Sequence, residues 1–148
     1  MSEHCPECGA LWRDGVTCAD HFHQMLFWEN EDSANWAVHH LTVLCYHLQH
    51  PSLYAPDGLE HATGLLIKFV DEGVDPRVLR VQMRDEVDSG KRQFKITATA
   101  DAHDAYAHPV TWTMTTTDVV AGGIDRYIEL VNAWARSMLA DLRASGNL

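Results

Sequence analysis

The sequence predicts a mainly α-helical, α+β domain: a compact helical bundle with an N-terminal zinc knuckle and a small β-hairpin before the final helix. Apolar residues recur at helical spacing along most of the chain, and the period falls to two in one late stretch. Three of the four cysteines fall within the first 18 residues, at metal-ligand spacing. A chain of 148 residues with 46% hydrophobic content has the usual size and composition of one domain. The expectation is a single domain over 1–148, with 1–18 as the knuckle packed on the helical body.

The elements follow in order. Residues 1–18 are dense in Cys and Gly and lack periodic apolar spacing, which suits a metal-stapled loop better than a helix or strand. Phe22, Met25, Leu26 and Glu29 lie at helical intervals, predicting a first helix from about Asp20 to Glu31. Ser33 is a candidate cap for a second helix that Pro51 should stop. "LEHATGLLIKFVDEG" reads as a third helix ending at Gly73. Asp75 and Pro76 form a start signal for a fourth. "FKITATA" and "VTWTM" then alternate apolar and polar residues, the two arms of the expected hairpin. The last helix carries a continuous stripe: Ile124, Tyr127, Ile128, Val131, Trp134, Ala135, Met138, Leu139 and Leu142.

Charge narrows the function classes. Eleven Lys and Arg against 21 Asp and Glu leave a net −10, the wrong sign for a phosphate backbone, so nucleic acid is not an expected partner. The longest apolar runs, "LTVLCY" and "GLLIKFV", are too short to span a bilayer, so no membrane association is expected. The first residues, "MSEHCPEC", have neither the basic head nor the apolar segment of a secretory signal, which predicts a cytoplasmic protein.

Cys5 and Cys8 lie in "CPECG", where a tight turn can bring both sulfurs to one ion, and Cys18 is ten residues further on. Zinc takes four Cys or His ligands in a tetrahedron, so three thiolates need one partner. A redox pair is the rival reading, but the strand-then-helix setting of such motifs is absent. His21 and His23 are local candidates for the fourth ligand, and the histidine-rich stretch "HHLTVLCYHLQHP" supplies distant ones. At 100° per residue, Leu41, Leu44, Cys45 and Leu48 share one face, while His39, Val43, Tyr46 and His50 form a stripe nearly opposite. Cys45 therefore reads as a small buried hydrophobe, and the knuckle is the natural occupant of the second side.

These residues also resemble something known. "CPECGA", the third Cys before the first helix, "VHHLTVLCYHLQHP", "WTMTTTDV" and "WARSML" are similar to an uncharacterised family of small bacterial proteins, a domain of unknown function, over nearly the whole chain. The resemblance implies fixed positions at His39, Tyr46, Gln49, His50 and Pro51, but not at His21, His40, Cys45 or His47. It thereby favours His39 over His21 as fourth ligand, ahead of His50. Tyr46, Gln49 and His50 become candidates for a pocket or a supporting shell.

The expected function is an uncharacterised zinc-binding protein with a structural Cys5, Cys8, Cys18, His39 site, a binding or interaction domain with no catalytic residue assigned. The alternative is a metal-dependent hydrolase or transferase using the histidine-rich helix. It finds no HExxH, nucleophile elbow or phosphate loop in the sequence. Neither the ligand nor the oligomeric state can be read from these residues.

Overall fold

The computed structural model describes residues 3–54, 58–75, 77–78 and 105–148. Two short strands, β1 (Glu3–His4) and β2 (Leu11–Trp12), pair antiparallel with Glu3 opposite Trp12 and His4 opposite Leu11. Helices follow: α1 (Cys18–Glu31), α2 (Ser33–Trp36), α3 (His39–Leu48) and α4 (Gly58–Val70). The later segment holds α5 (Thr116–Ala121) and α6 (Tyr127–Ala144), separated by a 3₁₀ turn at Ile124–Arg126. The α+β expectation, dominated by helices, is what the described residues form.

Local signals explain the boundaries. Thr17 and Asp20 form a capping box: the Asp20 N–H reaches Thr17 Oγ1 at 3.3 Å and the Thr17 N–H reaches Asp20 Oδ2 at 2.9 Å. Helix α1 therefore starts at Cys18, earlier than the apolar pattern alone indicates. Asp32, not Ser33, caps the next helix, its Oδ1 accepting the Ala34 N–H at 2.9 Å. The single helix expected up to Pro51 is two, α2 and α3. At the break, Val38 leaves helical geometry and buries its side chain, and its carbonyl accepts both the N–H (2.9 Å) and the hydroxyl (3.1 Å) of Thr42. Such a back-bonded Thr bends the chain. Gly73, with φ of +67°, follows α4 in the left-handed conformation that glycine adopts without strain.

The late hairpin is where expectation and structure part. "FKITATA" and most of the expected fourth helix lie outside the described residues. "VTWTM" is not a strand, because its polar groups have other partners. Asp141 on α6 accepts the N–H and the hydroxyl of Thr113 at 2.7 and 2.8 Å, and Gln49 Nε2 donates to the Met114 carbonyl at 2.7 Å. Val110, Trp112 and Met114 still pack on the core, so the alternation survives without a sheet. The hairpin that does form brackets the CPECGA loop.

Among the described residues the helices share one core cluster, and Cys5, Cys8, Ala10 and Cys18 form a second, smaller one. Leu41, Leu44, Cys45 and Leu48 of α3 meet Leu59, Ala62, Leu65 and Leu66 of α4, and α6 adds Tyr127, Val131, Trp134, Ala135, Met138, Leu139 and Leu142. Ile124 and Ile128, counted in the α6 stripe from spacing, are each 37% exposed. Ile124 belongs to the preceding 3₁₀ turn, and Ile128 is rotated about 100° from Tyr127, which takes the core position. Leu41 is fully enclosed, so Leu41→Ala is expected to cost about 2–5 kcal/mol. A lower denaturant midpoint at unchanged slope checks this.

Candidate metal centre

The knuckle is built by backbone bonds. The Gly9 N–H donates to the Cys5 carbonyl at 2.9 Å and the Cys5 N–H to the Ala10 carbonyl at 2.9 Å, with Gly9 at φ of +76°. That turn curls Cys5 and Cys8 toward one point. Cys18 is the first residue of α1, held in place by the capping box and set where the helix N-terminus favours a thiolate. All three cysteines are buried and free of disulfides.

His50 completes the group. It follows Gln49, the residue that ends α3, with φ of −130° and ψ of 67°, turned out of the helix ahead of Pro51. The ligand atoms of Cys5, Cys8, Cys18 and His50 all lie within 4.8 Å of one another. Cys8 Sγ is 3.6 Å from Cys18 Sγ, and Cys5 Sγ is 3.6 Å from His50 Nε2. A tetrahedron of ~2.3 Å metal–sulfur bonds has edges of roughly 3.7 Å, so the spacing fits an ion and is far too long for a disulfide.

Surrounding bonds orient this set. His50 Nδ1 is 2.6 Å from the Tyr46 carbonyl, which can only accept. Nδ1 therefore carries the proton, and the Nε2 lone pair is left for the sulfurs, as for a metal-bound histidine. The Trp12 indole N–H donates to Cys18 Sγ at 3.2 Å. The hydrogen bond from Cys8 pushes the Cys18 thiol down to about 3, burial opposing it and contacts with His50, Trp12 and Thr116 adding to it. Cys8 moves up, through the same bond, its burial and the charge of its two sulfur neighbours. Burial alone would lower His50, but Cys18 and the Tyr46 carbonyl outweigh it and raise the imidazole above its ordinary value.

Tyr46 joins the centre to the bundle. Its ring stacks on Phe22 at 4.3 Å and 5°, lies 4.5 Å from the His50 ring, and packs against both the core and the cysteine cluster. The Thr117 hydroxyl donates to the Leu11 carbonyl at 3.0 Å, tying α5 to the knuckle. Gln49, beside His50 in sequence, is fully buried and its side-chain amide donates to the Met114 carbonyl. An open groove of about 370 Å³ lies beside the knuckle, lined by Glu7, Pro51, Tyr106, His108, Pro109 and Trp112 among others.

His39, the fourth ligand expected from the sequence, is elsewhere. Its Nδ1 is 2.7 Å from Glu29 Oε1 and its ring stacks on Trp36 at 4.3 Å. The two histidines share an angular position only on an ideal helical projection; His39 opens α3 and His50 lies just past its other end, a helix of ten residues spanning ~15 Å, so one knuckle can meet only one end. His21 is also excluded from the group: its Nδ1 is 2.9 Å from Thr116 Oγ1, and burial pushes its imidazole down. Cys45 is enclosed in the core, and burial raises its thiol. Trp12 and Thr116 went unmarked in the sequence because an indole or hydroxyl near a thiolate has no spacing signature.

Tyr46→Ala removes the stacked contact between knuckle and bundle. The Cys5 and Gly9 amides should then exchange with solvent about tenfold faster while those of α6 keep their protection, measurable by hydrogen exchange.

Residues 3–143 match DUF5946, a family of unknown function. No curated protein and no solved structure gives a significant match.

Proposed function

The chain belongs to DUF5946, and we propose that it is a binding or interaction domain whose N-terminus is clasped to its helices by one structural, non-catalytic zinc ion on Cys5, Cys8, Cys18 and His50. The observation that carries this is the convergence of four buried ligand atoms within 4.8 Å. Three soft sulfurs and one imidazole in a tetrahedral spacing suit zinc. Four protein ligands fill its shell and, with three thiolates donating charge, leave it a weak Lewis acid with no position for water. A metal-dependent enzyme would need an open position, which this set does not provide.

The ion would connect segments far apart in sequence: the knuckle through Cys5 and Cys8, the start of α1 through Cys18, and the end of α3 through His50. Binding energy at such a site is folding energy. The groove beside the knuckle is the natural place for a ligand, because Glu7 and Pro51 on its wall adjoin metal ligands in sequence. Free thiols of this kind fit a reducing, cytoplasmic setting. Among the described residues, no helix is long and apolar enough to cross a membrane.

Elemental analysis should find about one zinc per chain, and Cys5→Ser with Cys8→Ser should abolish it. His50→Ala is expected to weaken zinc affinity by at least about tenfold, whereas His39→Ala and His21→Ala change it by less than about twofold, in a competition titration with a chromogenic chelator. Equal losses from His39 and His50 would contradict the assignment. Stripping the metal should lower the thermal midpoint. A DNA or RNA probe should show no salt-dependent shift at micromolar protein, given the net charge of −10.

A further inference from the structure

A second buried polar cluster lies at the other end of α3 and takes no part in the metal reading. The Glu29 side chain, on α1, is wholly enclosed. The Tyr127 hydroxyl, at the start of α6, donates to Glu29 Oε2, and Thr42 Oγ1 on α3 is 2.8 Å from that hydroxyl. The other carboxylate oxygen faces His39 Nδ1 at 2.7 Å. Three helices thus converge on one carboxylate. Desolvating a carboxylate is costly, and well-packed apolar residues would hold the same helices together at least as well. Packing alone gives no reason for this set.

His39 differs from its partners in reaching solvent. Its side chain is 20% exposed, and its Nε2 has no hydrogen-bond partner among the described residues. Trp36 covers one face of the ring at 4.3 Å and 8°, and His40 sits edge-on at 5.1 Å. The ring is therefore fixed, with approach left to its Nε2 edge. An imidazole held at Nδ1 by a buried carboxylate and open at Nε2 has the geometry of a general base.

We propose that His39 is the general base of a second, metal-independent site, with Glu29 as its positioning residue, acting on neutral or cationic carboxylic esters. The ligand class follows from charge. No Lys or Arg occurs between Arg13 and Lys68, so α1 to α3 carry neither to receive a phosphate or carboxylate, and the chain as a whole bears −10. In the step, a water oxygen attacks the ester carbonyl carbon, its proton passes to His39 Nε2, and the carbonyl electron pair moves to oxygen. When the tetrahedral intermediate collapses, the carbon–oxygen bond to the leaving group breaks and Nε2 returns the proton to the departing oxygen. Glu29 keeps its place and stabilises the transient imidazolium. This goes beyond the structural zinc and does not depend on it.

The test uses the metal-loaded full chain with 4-nitrophenyl acetate, alongside diethyl pyrocarbonate labelling of the histidines read by mass spectrometry. The expected result is hydrolysis that falls by about tenfold or more in His39→Gln. Glu29→Gln should lower kcat with KM little changed, because the carboxylate acts through the imidazole and not on the ester. In the unaltered protein, which needs no folded variant, His39 should be carbethoxylated faster than the exposed His4, His23 and His108. Unchanged hydrolysis in His39→Gln, or labelling of His39 slower than those three, would overturn the proposal.

Discussion

Three cysteine sulfurs and one imidazole nitrogen are held within 4.8 Å of one another in a buried site, and much of the fold is arranged around that convergence. Thiolates packed together in a low dielectric repel strongly, and without a cation some must keep their protons. The opposite shifts of Cys8 and Cys18 express that conflict, one thiol holding a proton for the other. A divalent cation removes it. The hairpin loop would offer such a cation two ligand atoms and the N-terminus of α1 and the end of α3 one each, and the hairpin has the least of its own to fix its position. Two strands of two residues would not persist in water unsupported.

Helix α3 organises both halves of the molecule. One face, Leu41, Leu44, Cys45 and Leu48, enters the core with α4 and α6. Off that face, Tyr46 is wedged between Phe22 and His50 and transmits the packing of the bundle to the knuckle. The two ends of the helix carry different chemistry: an imidazole beside sulfurs at one, and an imidazole against a buried carboxylate at the other. The abrupt exit before Pro51 matters here, because a helix continued through His50 would leave that side chain on the cylinder rather than turned out of it.

The sequence disclosed the parts that rest on local rules. Three cysteines at short spacing, a leucine face on α3 and an apolar stripe on α6 all follow from periodicity or turn chemistry, and the chain folds that way. What it hid were partners chosen across long separations. His39 and His50 look equivalent on a helical projection, which records angle and discards height, and only the docking of the knuckle distinguishes them. "VTWTM" has the alternation of a strand, yet Asp141 and Gln49, distant in sequence, take its hydrogen-bonding groups. Helix α5 was masked by three threonines whose β-branching speaks against a helix, although the Thr115 and Asp118 capping box was present to be read. Glu29 was visible too: it shares the helical interval of Phe22 and Met25, and a charged residue on an apolar stripe signals a buried partner.

X-ray absorption at the zinc edge of the purified protein reports the first coordination shell directly. The account predicts three sulfurs at ~2.3 Å and one nitrogen at ~2.0 Å, with no oxygen scatterer. A shell in His50→Ala that keeps the same three sulfurs and one nitrogen, or one in the native protein with a water oxygen in the fourth position, would contradict it.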